Sequence, residues 1–273
     1  MHRIFGLTRD PFAAVCDGEL YWENAARAET RAAARDLLRQ GRGVWVSGTR
    51  GSGRSALLSR LAEDLSAEGR PVVYADNPVA TTAETFLGSL SAVVEDPGPD
   101  RSVRGLLSGA VSLYARLVEG FSVRGPVPCF PGPVSAAPEV VAELEILRGL
   151  RLLGRPLVAL VLAGAGESPL PGLQTVRLVP PSPDDLRDLL AHRLACCGGA
   201  GLLPQGLLEP IAQRARDFDE ALALGRRALS REAYCRGFAA RSPEPPPSSL
   251  FRPADLDEVA RLLDSLGPDL SKP

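Results

Sequence analysis

Lysine is almost missing from this chain: Lys272 is the only one among 31 lysines and arginines. Arginine supplies nearly every positive charge, a pattern read most simply as GC-rich codon usage. Histidine is almost as scarce, with His2 and His192 alone. The five cysteines, Cys16, Cys129, Cys196, Cys197 and Cys235, are odd in number and form no CxxC. A Cys/His zinc site is therefore disfavoured, and reduced thiols are expected. Aromatic residues are 5%, so Leu, Val and Ala must build the core. No run of about 18 apolar residues occurs, and Met1-His2-Arg3 leads into polar sequence without a secretory apolar stretch. The expectation is a cytoplasmic chain without direct membrane insertion, peripheral to the inner membrane only through a partner. A net charge of −2 offers no broad basic surface, which disfavours nucleic acid as a partner.

What is present is a glycine-rich turn in an informative place. Val44-Trp45-Val46 is a short apolar run, and Gly48-Thr49-Arg50-Gly51-Ser52-Gly53-Arg54-Ser55 follows it. Leu57, Leu58, Leu61 and Leu65 then recur at helical spacing. Strand, glycine-rich turn and helix are the setting of a phosphate-cradling P-loop. Glycine lets the backbone curl until its N–H groups face phosphate oxygens, and the helix behind adds the positive end of its dipole. The candidate nucleotide-binding residues are Gly48, Thr49, Arg50, Gly51, Ser52, Gly53, Arg54, Ser55 and Ala56. The lysine of that motif is replaced by Arg54.

At 273 residues, 45% hydrophobic, the chain can fold one α/β domain and a smaller helical one. Asn24 is placed to cap a helix over 25–40, and the helix after the glycine turn should reach Ala67. Residues 71–75 read as a strand, 81–93 and 102–119 as helices. The stretch 125–133 stands where a strand belongs, but its prolines argue against an interior ladder. A helix over 138–150, a buried strand over 156–162 and a short strand over 175–178 complete the alternation. That pattern predicts a parallel sheet with helices on both faces. After Pro180-Pro181 strands cease. Ser182 and Asp185 form a capping-box pattern, and helices are expected over 182–197, 204–214 and 219–238. The resulting division is a lead-in and helix (1–42), an α/β core (43–180), a small helical lid (181–240), a Pro/Ser spacer (241–252) and a C-terminal helix (253–273).

Several stretches carry a family resemblance. Phe5-Gly6-Leu7-Thr8-Arg9-Asp10-Pro11-Phe12 resembles a "yGL…PF" opening, and Ser135-Ala136-Ala137-Pro138-Glu139-Val140 a "LSPEVLEEL" helix start. Leu157 to Gly164 resembles a strand ending "VLVGQPEL", Pro180 to Asp185 resembles "PLSPEE", and His192-Arg193-Leu194 resembles "HRL". With the P-loop, their order is similar to that of the general secretion pathway protein A family, AAA-type ATPases that include pilus-biogenesis and exosortase-associated members. The resemblance implies an AAA-type P-loop NTPase fold, ATP or ADP as cofactor and partner subunits. It also places Tyr21 and Trp22 at the adenine edge, with a core or hinge-packing role equally open for them.

The departures bear on chemistry. The family's Walker B Asp-Glu falls on the Pro131-Gly132 stretch, its sensor Gly-Gln on Gly164-Ala165, and the arginine of its helical subdomain on Glu220. P-loop hydrolysis works by positioning and charge neutralisation. Arg54 keeps the charge but is a bulky planar fork rather than a compact ammonium. Ser55 can still touch Mg²⁺, but Pro131 and Gly132 bring no carboxylate to hold it, so Mg²⁺ is doubtful. The expectation is a degenerate member, a pseudo-ATPase acting as a regulatory or scaffolding subunit of a secretion, pilus or surface-polysaccharide assembly. Its partner would be an intact AAA paralogue or a secretion or pilus component, in a homo- or hetero-oligomer. Two alternatives stay open: a weak ATPase using Asp76 or Glu167, and a nucleic-acid-associated AAA regulator. Arg27, Arg31, Arg35 and Arg39 recur every fourth residue, which reads as a solvated helix stripe or as a partner or phosphate contact.

Overall fold

The computed structural model describes residues 5–13, 18–70, 72–74, 127–130, 138–203 and 205–239. Two compact units are present. Residues 16–180 form one, and residues 1–15 with 181–273 form the other.

In the first unit, α1 (Ala25–Arg39) is rich in the strong helix formers Ala and Arg and starts at Asn24, whose side chain accepts from Arg27 N. Strand β1 (Val44–Ser47) leads through the glycine turn into α2 (Arg54–Ala67). Then come β2 (Val73–Tyr74), β3 (Val127–Phe130), α3 (Pro138–Gly149), β4 (Arg151–Leu152), β5 (Arg155–Pro156), β6 (Val158–Gly164) and β7 (Gln174–Arg177). Five strands form one sheet in the order β2-β3-β6-β1-β7, with every pair parallel. The glycine turn thus leaves the carboxyl end of an interior strand, the edge at which open parallel α/β sheets bind ligands.

Alternation along β1 sorts the packing. Val44 and Val46 join Ala159, Val161 and Val176 in a core with Ala34 and Leu38 of α1 and Leu57, Leu58, Leu61 and Leu65 of α2. Each buried leucine contributes roughly 1.5–3 kcal/mol. Trp45, Leu160 and Leu162 are also buried and lie on the other side of the pleat. Helix α3 packs against β6 with Val140 and Leu144 fully buried.

Two features of this unit differ from the sequence reading. Val127–Phe130 is an interior strand, with Cys129 opposite Val73 on one side and Leu160 on the other. Pro128 is accommodated in register with Ala159. The length and position of the run outweighed its prolines. Between α3 and β6 the chain also forms a hairpin of β4 and β5. Leu153 (φ +51) and Gly154 (φ +79) make its two-residue turn, with the positive φ values that such turns require. The expected helices over 81–93, 102–119 and 253–273 and the spacer over 241–252 lie outside the described residues.

The second unit holds α4 (Pro183–Cys196), α5 (Gln205–Arg214) and α6 (Phe218–Ala239), packed pairwise, so six α-helices occur among the described residues. The opening of the lead-in, residues 5–13, belongs here. Phe12 is buried against Gly225 of α6, where a β-carbon would meet its ring at 2.8 Å. Arg226 Nη2 donates to Phe12 O (2.7 Å), and the buried Arg193 of α4 donates to Ala13 O (2.8 Å). The Pro-Phe of the opening and the Arg of His192-Arg193-Leu194 are thereby packing partners.

Candidate nucleotide-binding loop

The loop is built by what glycine permits at three positions. A side chain at Gly48 would meet Ser52 Oγ at 2.5 Å, so the turn closes only around a hydrogen there. Gly51 (φ +71) and Gly53 (φ +82) stand in the left-handed region on either side of Ser52. Gly48 N donates to Gly164 O (3.1 Å), tying the loop entry to β6, and Ser52 N donates to Thr49 O (3.2 Å). Ser52 is fully buried, and its hydroxyl has no hydrogen-bond partner among the described residues.

The exit of the loop is a bare helix start. Gly53 is the N-cap of α2 and provides no side-chain cap, and the first turn holds no acid. The first helical bond is that of Leu57 N to Gly53 O (3.0 Å). The amides of Gly53, Arg54, Ser55 and Ala56 are therefore the orphan donors of this helix, at the positive end of its dipole. Thr49, Arg50 and Ser55 are exposed and Arg54 is half-buried. The side chains of Arg50 and Arg54 have no hydrogen-bond or ion-pair partner among the described residues. Such an arrangement can hold phosphate oxygens through backbone N–H groups and neutralise them with guanidinium charge.

Beside the loop, every arginine of the four-residue stripe of α1 is paired, although Arg39 at its end stays exposed. Arg31 is bidentate to Glu23 (2.9 and 2.7 Å) and also bonds Asp64 of α2. Arg35 lies 3.9 Å from Glu68, and Arg39 binds Glu68 at 2.6 Å. Arg60 of α2 adds a bond to Asp64 (3.2 Å). Arg27, buried, reaches the loop itself: its Nη2 donates to Ser52 O at 2.5 Å. The stripe sews α1 to α2. Asp64 and Glu68 lie far along the chain, so spacing alone could not separate this from a wet surface. Burial acts to raise the Glu23 carboxyl, but the Arg31 fork more than offsets it and holds the group below its usual range.

Tyr21 belongs to this seam. Its ring centroid is 6.0 Å from the Arg60 guanidinium carbon, and its hydroxyl is buried. Burial, then the neighbouring Glu23 charge, pushes its phenol above the usual value. Trp22 is half-buried.

At the end of β6, Gly164 leaves room for the Trp45 ring. Trp45 Nε1 (3.1 Å) and Ser47 Oγ (3.0 Å) both donate to Gly166 O, which pins the turn after the strand to β1. Ala165 and Glu167 in that turn are exposed. The sequence reading took Trp45 only as part of the apolar run of β1; its bond to Gly166 is non-local and carries no sequence signal. Pro131, Gly132 and Asp76 lie outside the described residues. The four residues of β3 carry no carboxylate.

Glu220 is in the first turn of α6. It accepts from Arg216 N (2.9 Å) and Nε (3.1 Å), while Asp217 Oδ1 caps Glu220 N (2.9 Å). The Arg216 hydrogen bond holds its carboxyl below the usual range. An acid here suits the helix start. In α4, Cys196 Sγ lies 3.5 Å from His192 Nε2, and Cys197 is a buried free thiol. Among the described residues, no group of three or more His, Cys, Asp or Glu side chains is arranged to hold a metal, and no helix is long and apolar enough to cross a membrane.

Solved structures place this architecture. Cdc6p from Pyrobaculum aerophilum superposes with a TM-score of 0.59 at 18% identity, over 86% of this chain and 67% of that one. The fold is that of AAA-type P-loop ATPases. The ORC2 protein of Aeropyrum pernix, solved in ADPNP–ADP complexes, gives 0.58 at 14% identity over 96% and 73% of the two chains. A Walker-type ATPase of Pyrococcus abyssi gives 0.55 at 14% identity over 93% and 80%. No family model and no curated protein matches the sequence. Within the AAA-type fold, β1, the glycine loop and α2 stand as the strand, P-loop and helix that the sequence pattern predicts.

Proposed function

We propose that this chain is an AAA-type P-loop protein that binds ATP or ADP and does not hydrolyse ATP. The observation that carries this reading is the start of α2, where a glycine loop, uncapped amides and an Arg54 side chain without a partner among the described residues meet at the carboxyl end of an interior strand. Nucleotide binding is further supported by the fold likeness to the ORC2 protein solved with ADPNP and ADP. The loss of hydrolysis is supported by residue types. Arg54 replaces the compact lysine, β3 brings no carboxylate, and Ala165 replaces the polar sensor side chain. Of the metal-binding groups such a site uses, the Ser55 hydroxyl remains without a carboxylate from β3 beside it, so the phosphates are held by backbone amides and guanidinium charge with little dependence on Mg²⁺. The tie from Trp45 and Ser47 to Gly166 favours a static turn over one that responds to a γ-phosphate.

A subunit of this kind acts by occupying a place in an assembly, since AAA sites are completed by neighbouring subunits. The resemblance to the general secretion pathway protein A family supports a regulatory or scaffolding part in a secretion, pilus or surface-polysaccharide assembly, beside an intact AAA paralogue. Thermal unfolding with ATP or ADP tests binding. Stabilisation by either nucleotide, equal with Mg²⁺ and with a chelator, is expected. A shift that appears only with Mg²⁺ would speak for an intact metal site and the weak-ATPase reading with Asp76 or Glu167.

A second reading, a nucleic-acid-associated regulator, draws on the ORC1 protein of Aeropyrum pernix, solved in complex with DNA, which superposes with a TM-score of 0.51 at 16% identity over 95% and 69% of the chains. Duplex binding that weakens steeply with salt would favour it.

A further inference from the structure

The P-loop is shaped by its own glycines, but one of its peptide planes is held from outside. Arg27, 7% exposed, donates from Nη2 to Ser52 O at 2.5 Å. A buried guanidinium is costly unless it is paired, so this contact is no incidental surface tie. Arg27 is itself fixed at the start of α1, where Asn24 Oδ1 accepts from its amide at 2.9 Å. Farther along α1, Arg31 binds Asp64 of α2, and Arg35 and Arg39 pair with Glu68, the residue that caps its end. The helix that carries Arg27 is thus locked to the helix that the loop feeds.

In a trans peptide the C=O and the N–H point to opposite sides. None of the described peptides is cis. Holding Ser52 O against Arg27, on the α1 side, turns the Gly53 N–H the other way, alongside the orphan amides of Arg54, Ser55 and Ala56. Without that hold, the Ser52–Gly53 plane can flip by turning about Ser52 ψ and Gly53 φ, and Gly53, already at φ +82, has the left-handed freedom to follow. A flipped plane would present a carbonyl oxygen to an anion in place of an amide.

We infer that Arg27 is a positioning residue for phosphate binding: it sets the Ser52–Gly53 peptide so that the Gly53 amide joins the phosphate cradle. This rests on the nucleotide-binding reading above. It gives the first arginine of the stripe a role distinct from the other three, which join helix to helix. It also explains the buried Ser52, since a short side chain at that position lets the main chain approach the guanidinium.

The test compares ATP binding, by equilibrium titration of the full chain, for Arg27→Met, Arg27→Lys and Leu61→Ala. Leu61 is fully buried in α2 and controls for lost stability alone. Arg27→Met is expected to bind ATP at least about tenfold more weakly than Leu61→Ala, the scale of one charge-assisted hydrogen bond. Arg27→Lys should recover part of that loss. Should Arg27→Met fail to fold, Arg27→Lys against the unaltered chain decides, with weaker binding again expected. Binding by the Arg27 variants as tight as the controls would overturn the proposal.

Amide exchange without nucleotide separates this proposal from the functional reading. Faster exchange at Ser52 N and Leu57 N in Arg27→Met, relative to Leu61→Ala, is expected, because those amides carry the loop's internal bonds. If the unaltered chain binds no ATP, the nucleotide reading falls, and unchanged exchange would sink the positioning role as well.

Discussion

Helices α2 and α4 are the same length, 14 residues each, and begin in opposite ways. Helix α4 starts with a complete capping box. Ser182 Oγ accepts from Asp185 N (3.2 Å), Asp185 Oδ2 accepts from Ser182 N (2.8 Å), and Asp184 and Asp185 supply negative charge to the first turn. Helix α2 starts with a glycine, no side-chain cap and no acid. Among the described residues, neither a side-chain cap nor a first-turn acid satisfies its amides. One helix start is finished for stability. The other is left open, and its geometry is maintained from outside, by Arg27 and by the bond from Gly48 to β6.

Four substitutions would break or sharpen that contrast. Gly53→Val forces a β-branched residue into the left-handed region and should lower unfolding free energy by roughly 1–2 kcal/mol, read by denaturant titration, while abolishing ATP binding. Ser182→Ala removes one side of the α4 box and should cost about 1 kcal/mol. Its ATP affinity should not change, because that helix start has no ligand role. Ser55→Glu gives α2 the acid it lacks, and the chain should become more stable by roughly 0.3–1 kcal/mol through the helix dipole. The same change should remove ATP binding, since the carboxylate competes for the amides and repels phosphate. A gain in stability with undiminished binding would refute the open-start account. Arg54→Ala should alter stability by less than about 0.5 kcal/mol, as expected of a side chain without a partner among the described residues, and act on nucleotide affinity alone.

The seam that carries the open start has its own pH signature. The folded Glu23 carboxyl titrates below its unfolded value, so its contribution is present above the ordinary carboxylate range and is lost as pH falls toward the lower folded value. Thermal midpoints between pH 6 and pH 3, roughly spanning that range, should decline less steeply for Glu23→Gln than for the unaltered chain. Identical slopes would remove the Arg31–Glu23 pair from the account.

Much of this contrast was legible in the sequence, for a physical reason. Caps and glycine turns are local: Asn24, Ser182 with Asp185, and Gly48 to Ser55 all act on residues within a few positions of themselves. The parallel sheet was legible too, because its strands alternate with helices. What escaped was non-local. Arg31 pairs with an acid on the next helix, and nothing in the four-residue spacing marks such an interaction. Arg27 binds a backbone oxygen, which has no sequence signal at all. Pro128 concealed a strand that neighbours on both sides sustain. The β4–β5 hairpin is too short for any periodicity. Glu220 was legible as a change of charge, but its hydrogen bonds to Arg216 as a helix-start acid were not.

The central claim is that the open start of α2 holds nucleotide that the chain cannot cut. Equilibrium ATP binding and phosphate release, measured on one preparation of the full chain, test it together. The account predicts saturable ATP binding, undiminished by a Mg²⁺ chelator and weakened in Arg54→Ala, with phosphate release at background. Steady phosphate release above background that Arg54→Ala abolishes would contradict it.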